Sequence, residues 1–289
     1  MSLLLRSLLF ALLAWRAVPA WAGSVPLDAA CGTEALFAAG FEDDASCYAP
    51  DASGGSGGDT TAGDYSGLVH VPELGAQRSF AYRIPPGYDA AKPSPLLVAL
   101  HGAASDVIAA AAILRENWSL VVEPDAAIVV TPYGSGTGGG WRGNDAYVIA
   151  AAVAQIEALY QVDRRRRYLW GYSAGAHFGH AVVLDDPAPW AAYGVSAGAL
   201  TQYACGVTGA PACEAWLQAA AASNRLPLSI TIGRFDPLYP QASGDPGRFA
   251  AAGWDGPEVR YVEFAGGHAY YVPHLVDTWA FLGRYAQAR

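Results

Sequence analysis

The amino-acid sequence predicts an α/β fold, with a mostly parallel central sheet of about eight strands and helices on both faces. Three observations carry this expectation. Short continuous apolar runs such as Pro95 to Leu100 and Ala127 to Thr131 are bounded by turn residues, as in strands buried on both faces of a parallel sheet. Segments with apolar residues at helical spacing separate those runs. Finally, 53% of the 289 residues are hydrophobic and only 15% are charged. That is enough apolar material for a large core, and it excludes a disordered or fibrous chain.

The elements follow in order. Leu68 to Val71 and Ser79 to Ile84 alternate apolar and polar residues, the pattern of half-exposed strands. The two buried-type strands at 95–100 and 127–131 come next, and Ala146 to Tyr160 has the spacing of a helix. Arg167 to Tyr172 reads as a strand, Gly175 to Leu184 as a helix and Tyr193 to Gly198 as another strand. Pro227 to Ile232 and Val259 to Phe264 are two further buried strands, and Val276 to Ala286 closes the chain as an amphipathic helix. Strands alternating with helices give a sheet covered on both sides.

The N-terminal quarter is of a different kind. Residues 1–22 combine Arg6, the apolar stretch Leu8 to Trp15 and the small-residue site Ala20-Trp21-Ala22, the pattern of a secretory signal peptide. Arg16 and Pro19 break the run, leaving it well short of the roughly 20 residues a membrane span needs. A secreted or periplasmic protein without stable membrane insertion is expected. Residues 23–66 hold eight acidic side chains and no Lys or Arg, and Asp51 to Gly67 has the Gly/Ser-rich composition of a flexible linker. The folded domain is therefore expected at 67–289. The formal charge of −9 argues against nucleic acid as a partner, because phosphate binding needs a basic face. Export permits disulfides among Cys31, Cys47, Cys205 and Cys213. Of the possible pairings the most local is Cys31–Cys47 with Cys205–Cys213; no C-x-x-C pair suggests zinc instead.

Gly171-Tyr172-Ser173-Ala174-Gly175 matches G-x-S-x-G between a strand-like and a helix-like segment. A serine on such a turn projects its hydroxyl from the carboxyl edge of the sheet, at the positive start of a helix. A neutral serine needs a base, and the base needs a carboxylate to orient it. The hydrolase chain order is Ser, then Asp or Glu, then His. His268, in a Gly-Gly-His loop past the strand at 259–264, is the candidate base in preference to His274. Asp236, four residues past Ile232, is the candidate acid in preference to Asp245.

With these motifs the chain resembles the α/β-hydrolases, and within them the secreted polyhydroxybutyrate depolymerase/feruloyl esterase group. Four stretches carry the resemblance: Arg83 to Tyr88 running into Pro95 to Gly102, Gly171 to Gly175, Gly233 to Pro237, and Gly266-Gly267-His268. The chain departs from the group's frequent pattern at Ala176 and at Ala269-Tyr270-Tyr271. The resemblance implies an α/β-hydrolase fold and an oxyanion hole made by the backbone N–H groups of Ala174 and Ala103. It also implies a substrate with an ester bond, polymeric or derived from plant cell wall. Trp141, at the end of the Gly-rich run 134–140, is expected at the pocket rim, with Tyr172 and Tyr270 as further substrate-lining candidates. His101 is expected to pack beneath the site. Arg164 to Arg167 reads as a solvated connector, and His177 and His180 read as packed or surface histidines rather than metal ligands. The reaction so read, acylation of Ser173 and deacylation by water, needs no metal and no organic cofactor. A prolyl-oligopeptidase-like peptidase and a catalytically silent binding protein are the competing readings.

Overall fold

In a computed structural model of the chain, residues 23–27, 48–202 and 210–288 are described. The short strand β1 (Ser24–Pro26) is followed by β2 (Gly63–Val71), β3 (Ala76–Ile84), β4 (Ser94–Leu100), α1 (Val107–Val122) and β5 (Ile128–Pro132). Next come α2 (Asp145–Leu159), β6 (Val162–Tyr172), α3 (Ala174–Asp185), β7 (Ala192–Ser196), α4 (Ala210–Ser223) and β8 (Leu228–Gly233). Two short helices, α5 (Tyr239–Ala242) and α6 (Asp245–Ala251), precede β9 (Val259–Phe264), α7 (Val272–Leu282) and β10 (Tyr285–Gln287).

Eight strands form one sheet in the order β2-β3-β5-β4-β6-β7-β8-β9. The first two pairings, β2 with β3 and β3 with β5, are antiparallel. All the others are parallel. Central β4 shows why its run of apolar residues is unbroken. Leu96, Val98 and Leu100 enter the core beneath α2 and α3, while Leu97 and Ala99 enter the opposite core beneath α1 and α7. Alternate side chains of one strand thus fill two separate cores. The carboxyl ends of β6 and β8 and the loop after β9 share one edge of the sheet, where the candidate site residues lie.

Four expectations need correction. β2, β3 and β6 are longer than their apolar runs, so residue 67 falls inside β2 rather than at a domain edge. The stretch expected to be a flexible linker is packed against the body. The Ser53 and Ser56 N–H groups donate to the carbonyls of Val162 and Ala158, and Arg164 N–H donates to Asp51. A Cβ on Gly55 would sit 2.7 Å from Tyr160 N, and one on Gly58 would sit 2.9 Å from Leu159 O. These glycines therefore serve close backbone approach, which composition alone cannot distinguish from flexibility.

The basic run is not a solvated connector either, because it lies within β6. Arg165 is buried and donates to the carbonyls of Gln287 and Ala49 at 2.8 and 2.7 Å. Arg164 and Arg167 both pair with Glu157. The last helix begins and ends four residues early, and the freed β10 pairs antiparallel with β1. Cys213 is buried and disulfide-bonded. Cys31, Cys47 and Cys205, and with them the expected pairing, lie outside the described residues, as does the expected signal peptide at 1–22. No helix among the described residues is long and apolar enough to cross a membrane.

Candidate active site

Ser173 is the single residue between β6 and α3, and its backbone is held at φ 52°, ψ −117°. Positive φ is unfavourable for a residue with a side chain, so the surroundings must hold it. The Ser173 N–H donates to Ser196 at the end of β7, and its carbonyl accepts from Ala176 and His177 in the first helical turn. A Cβ on Gly171 would collide with the Gly175 carbonyl, and one on Gly175 would lie 2.6 Å from the His101 carbonyl oxygen. Both glycines of the motif are therefore required by backbone packing at a turn this sharp.

The structure brings Ser173, His268 and Asp236 together in one hydrogen-bonded line. The Ser173 hydroxyl lies 2.7 Å from His268 Nε2, and His268 Nδ1 lies 2.9 Å from Asp236 Oδ2. With Nδ1–H donating to the Asp236 carboxylate, Nε2 carries the lone pair that faces the serine hydroxyl. Asp236 comes three residues after β8. Its side chain is fully buried, whereas that of His268 is 36% exposed. The other carboxylate oxygen accepts the Leu238 N–H at 2.8 Å, so the Asp-Pro turn and the contact with histidine share one side chain. Gly233 lets the base approach, because a Cβ there would strike the carbonyls of Gly266 and Gly267. The rival residues lie elsewhere. His274 packs against Phe264 with ring centroids 4.5 Å apart, and Asp245 binds the Leu200 N–H and Arg248.

Ala174 opens α3, where helix geometry leaves the first N–H groups without an intrahelical acceptor. Ala103 is exposed on the loop after β4, next to Gly102, whose added Cβ would come 3.2 Å from Ser173 Cβ. Ala174 thus adjoins the serine directly, and Ala103 follows Gly102, which packs against it. His101 lies beneath them, 2% exposed. Its Nε2 accepts from Gly134 N–H at 3.1 Å and its Nδ1 lies 2.7 Å from the Gly102 carbonyl. Burial lowers its pKa, which keeps the ring neutral and suits this pattern of one acceptor and one donor.

One lining expectation changes. Trp141 is not at a rim. It is 8% exposed, stacks on Phe178 and donates its indole N–H to the His101 carbonyl at 2.8 Å. The Gly-rich run before it lets the ring fold back into the core. Tyr172 directs its hydroxyl to the His268 carbonyl, which makes it a support for the base. Tyr270 packs on Trp170 and Tyr172 and receives a hydrogen bond from Asn117 at 3.2 Å. His177 is tied to Ala199 and His180 to Tyr193, so they serve different neighbours. Sequence reasoning missed Phe235. This residue is 77% exposed directly beside Asp236, and an isolated apolar residue between Arg and Asp gives no signal in one sequence.

No family model matches the chain. Among curated proteins it is similar to feruloyl esterase C of Emericella nidulans, with 30% identity over 129 residues, 43% of this chain and 47% of that protein. The chain thus spans about half the length of the curated relative it matches. Among solved structures it is similar to a ferulic acid esterase, with a TM-score of 0.60 and 17% identity over 78% of this chain and 99% of that one. It is also similar to a poly(3-hydroxybutyrate) depolymerase from Bordetella parapertussis, with a TM-score of 0.51 and 20% identity over 78% of this chain and 91% of that one.

Proposed function

We propose that this chain, an α/β-hydrolase in fold and grouped by similarity with the esterases of that fold, is an exported serine hydrolase of carboxylic esters. The single observation that carries this is the hydrogen-bonded line from Ser173 through His268 to Asp236. Ser173 Oγ attacks the ester carbonyl while its proton passes to His268 Nε2. The buried Asp236 carboxylate holds the ring in the required tautomer and stabilises the imidazolium that forms. Negative charge on the carbonyl oxygen is met by the N–H groups of Ala174 and Ala103, helped by the start of α3. His268 then returns the proton to the departing alkoxide, leaving Ser173 acylated. Water, deprotonated by the same nitrogen, attacks the acyl-enzyme and releases the acid.

The similarity to feruloyl esterases and to a polyhydroxybutyrate depolymerase favours aromatic or hydroxyalkanoic acyl groups. The exposed His268 and Phe235 suit a bulky or polymeric ester presented at the surface. Export is supported by the signal-like residues 1–22 and by the disulfide at Cys213, which suits an oxidising compartment. The test compares p-nitrophenyl acetate, methyl ferulate, polyhydroxybutyrate particles and peptide anilides as substrates. Esters should be cleaved and anilides left intact. Cleavage of the anilides alone would replace an esterase with a peptidase.

A further inference from the structure

An apolar recess away from Ser173 lies at the other end of α3, between that helix and α2. Its volume is about 390 Å³, within the range of small-molecule sites. The floor is preformed by Ile149, Val153, Phe178 and Trp190, each less than a tenth exposed. Phe178 is fixed from below by its stack on Trp141, with centroids 5.3 Å apart. The recess therefore offers a rigid apolar surface that needs no rearrangement to be filled, which keeps the cost of binding low.

The charged groups lining it are net negative, with Glu157, Asp185 and Asp186 against Arg167. Arg167 is spent on Glu157 at 2.8 Å. Asp185 and Asp186 are exposed, and among the described residues neither has a cationic partner. Asp185 accepts the Trp216 indole N–H at 2.8 Å. These two residues end the 12-residue α3, whose last turn holds no basic side chain. The partial negative charge of the helix C-terminus thus adds to that of the two carboxylates. Tyr147, also on the wall, is 46% exposed and offers an aromatic face, which favours a cation over a neutral group.

We propose that the recess between α2 and α3 is a second ligand site, taking a hydrophobic organic cation with its apolar body on Phe178 and its charge beside Asp185 and Asp186. An anion is repelled by the same two carboxylates. A neutral molecule of the same shape gains only the apolar contact.

The test is equilibrium dialysis of the full chain with benzyltrimethylammonium, its neutral isostere neopentylbenzene, and phenylacetate. The cation should bind at least tenfold more tightly than the isostere, and phenylacetate should not bind. Asp185→Asn with Asp186→Asn should bring cation and isostere within about twofold of each other. Ala150→Trp, which plugs the recess from α2, should abolish both, and Val182→Phe from α3 serves as an independent plug. Equal affinity for the cation and its isostere, or cation binding that survives both plugs in folded protein, would overturn the proposal. The readout involves no ester hydrolysis, so it stands apart from the esterase reading.

Discussion

The Tyr172 hydroxyl donates a hydrogen bond to the carbonyl oxygen of His268 at 2.9 Å, tying the end of β6 to the loop that carries the base. The residue beside the nucleophile thus sets the backbone position of its partner. Tyr172→Phe keeps the ring against Tyr270, 4.9 Å away, and removes only this bond, worth about 1 kcal/mol. The expected result is a fall in kcat on p-nitrophenyl acetate of about fivefold, with KM nearly unchanged. A raised KM at constant kcat would place the hydroxyl on the substrate instead.

The N-terminal approach contributes to the stability of the body. Chains beginning at residue 48 and at residue 67 both lack β1, so their difference reports on residues 48–66. That segment makes several backbone hydrogen bonds to β6 and α2, each worth about 1 kcal/mol. It also supplies the first residues of β2. The chain starting at 67 should melt lower by about 10 °C, at roughly 2–4 °C per kcal/mol for a domain of this size. Equal melting temperatures by circular dichroism would show that the segment rests on the body without supporting it.

The burial of Asp245 predicts a pH dependence of the fold's stability. Its side chain is fully buried, and burial pushes its pKa up to about 6, with the Leu200 N–H and Arg248 pulling the other way. A folded pKa above the unfolded one means that the folded state holds more protons between roughly pH 4 and 6. The stabilisation is full below about pH 4 and is lost as pH rises through about 6; the rise corresponds to roughly 3 kcal/mol. Asp245→Asn does not titrate. The wild-type melting temperature should therefore gain on that of the variant as pH falls from 7 to 5. A gap independent of pH would show that Asp245 keeps an ordinary acidity.

The sheet was legible because its central strands are buried on both faces and read as unbroken apolar runs, of which Leu96 to Leu100 is the clearest. The order of Ser173, Asp236 and His268 was legible because each follows a strand at the same edge. Other features depend on three-dimensional neighbours that a sequence does not contain. Gly55 and Gly58 read as linker, yet they lie flush against Leu159 and Tyr160. Arg165 reads as a surface charge until the carbonyls of Ala49 and Gln287 are found around it. Trp141 reads as a rim residue because glycines precede it, and those glycines instead return it to the core.

The central claim is that Ser173 is the nucleophile of an ester hydrolase, and the rate of p-nitrophenyl acetate hydrolysis by Ser173→Ala tests it most directly. The substitution removes one oxygen from a half-buried side chain, so the fold should be retained by circular dichroism. Losing one member of a cooperating catalytic unit costs on the order of 10⁴ to 10⁶ in turnover. The account predicts a loss of that size from an active wild-type enzyme. A folded Ser173→Ala protein that kept a tenth of the wild-type rate would contradict it.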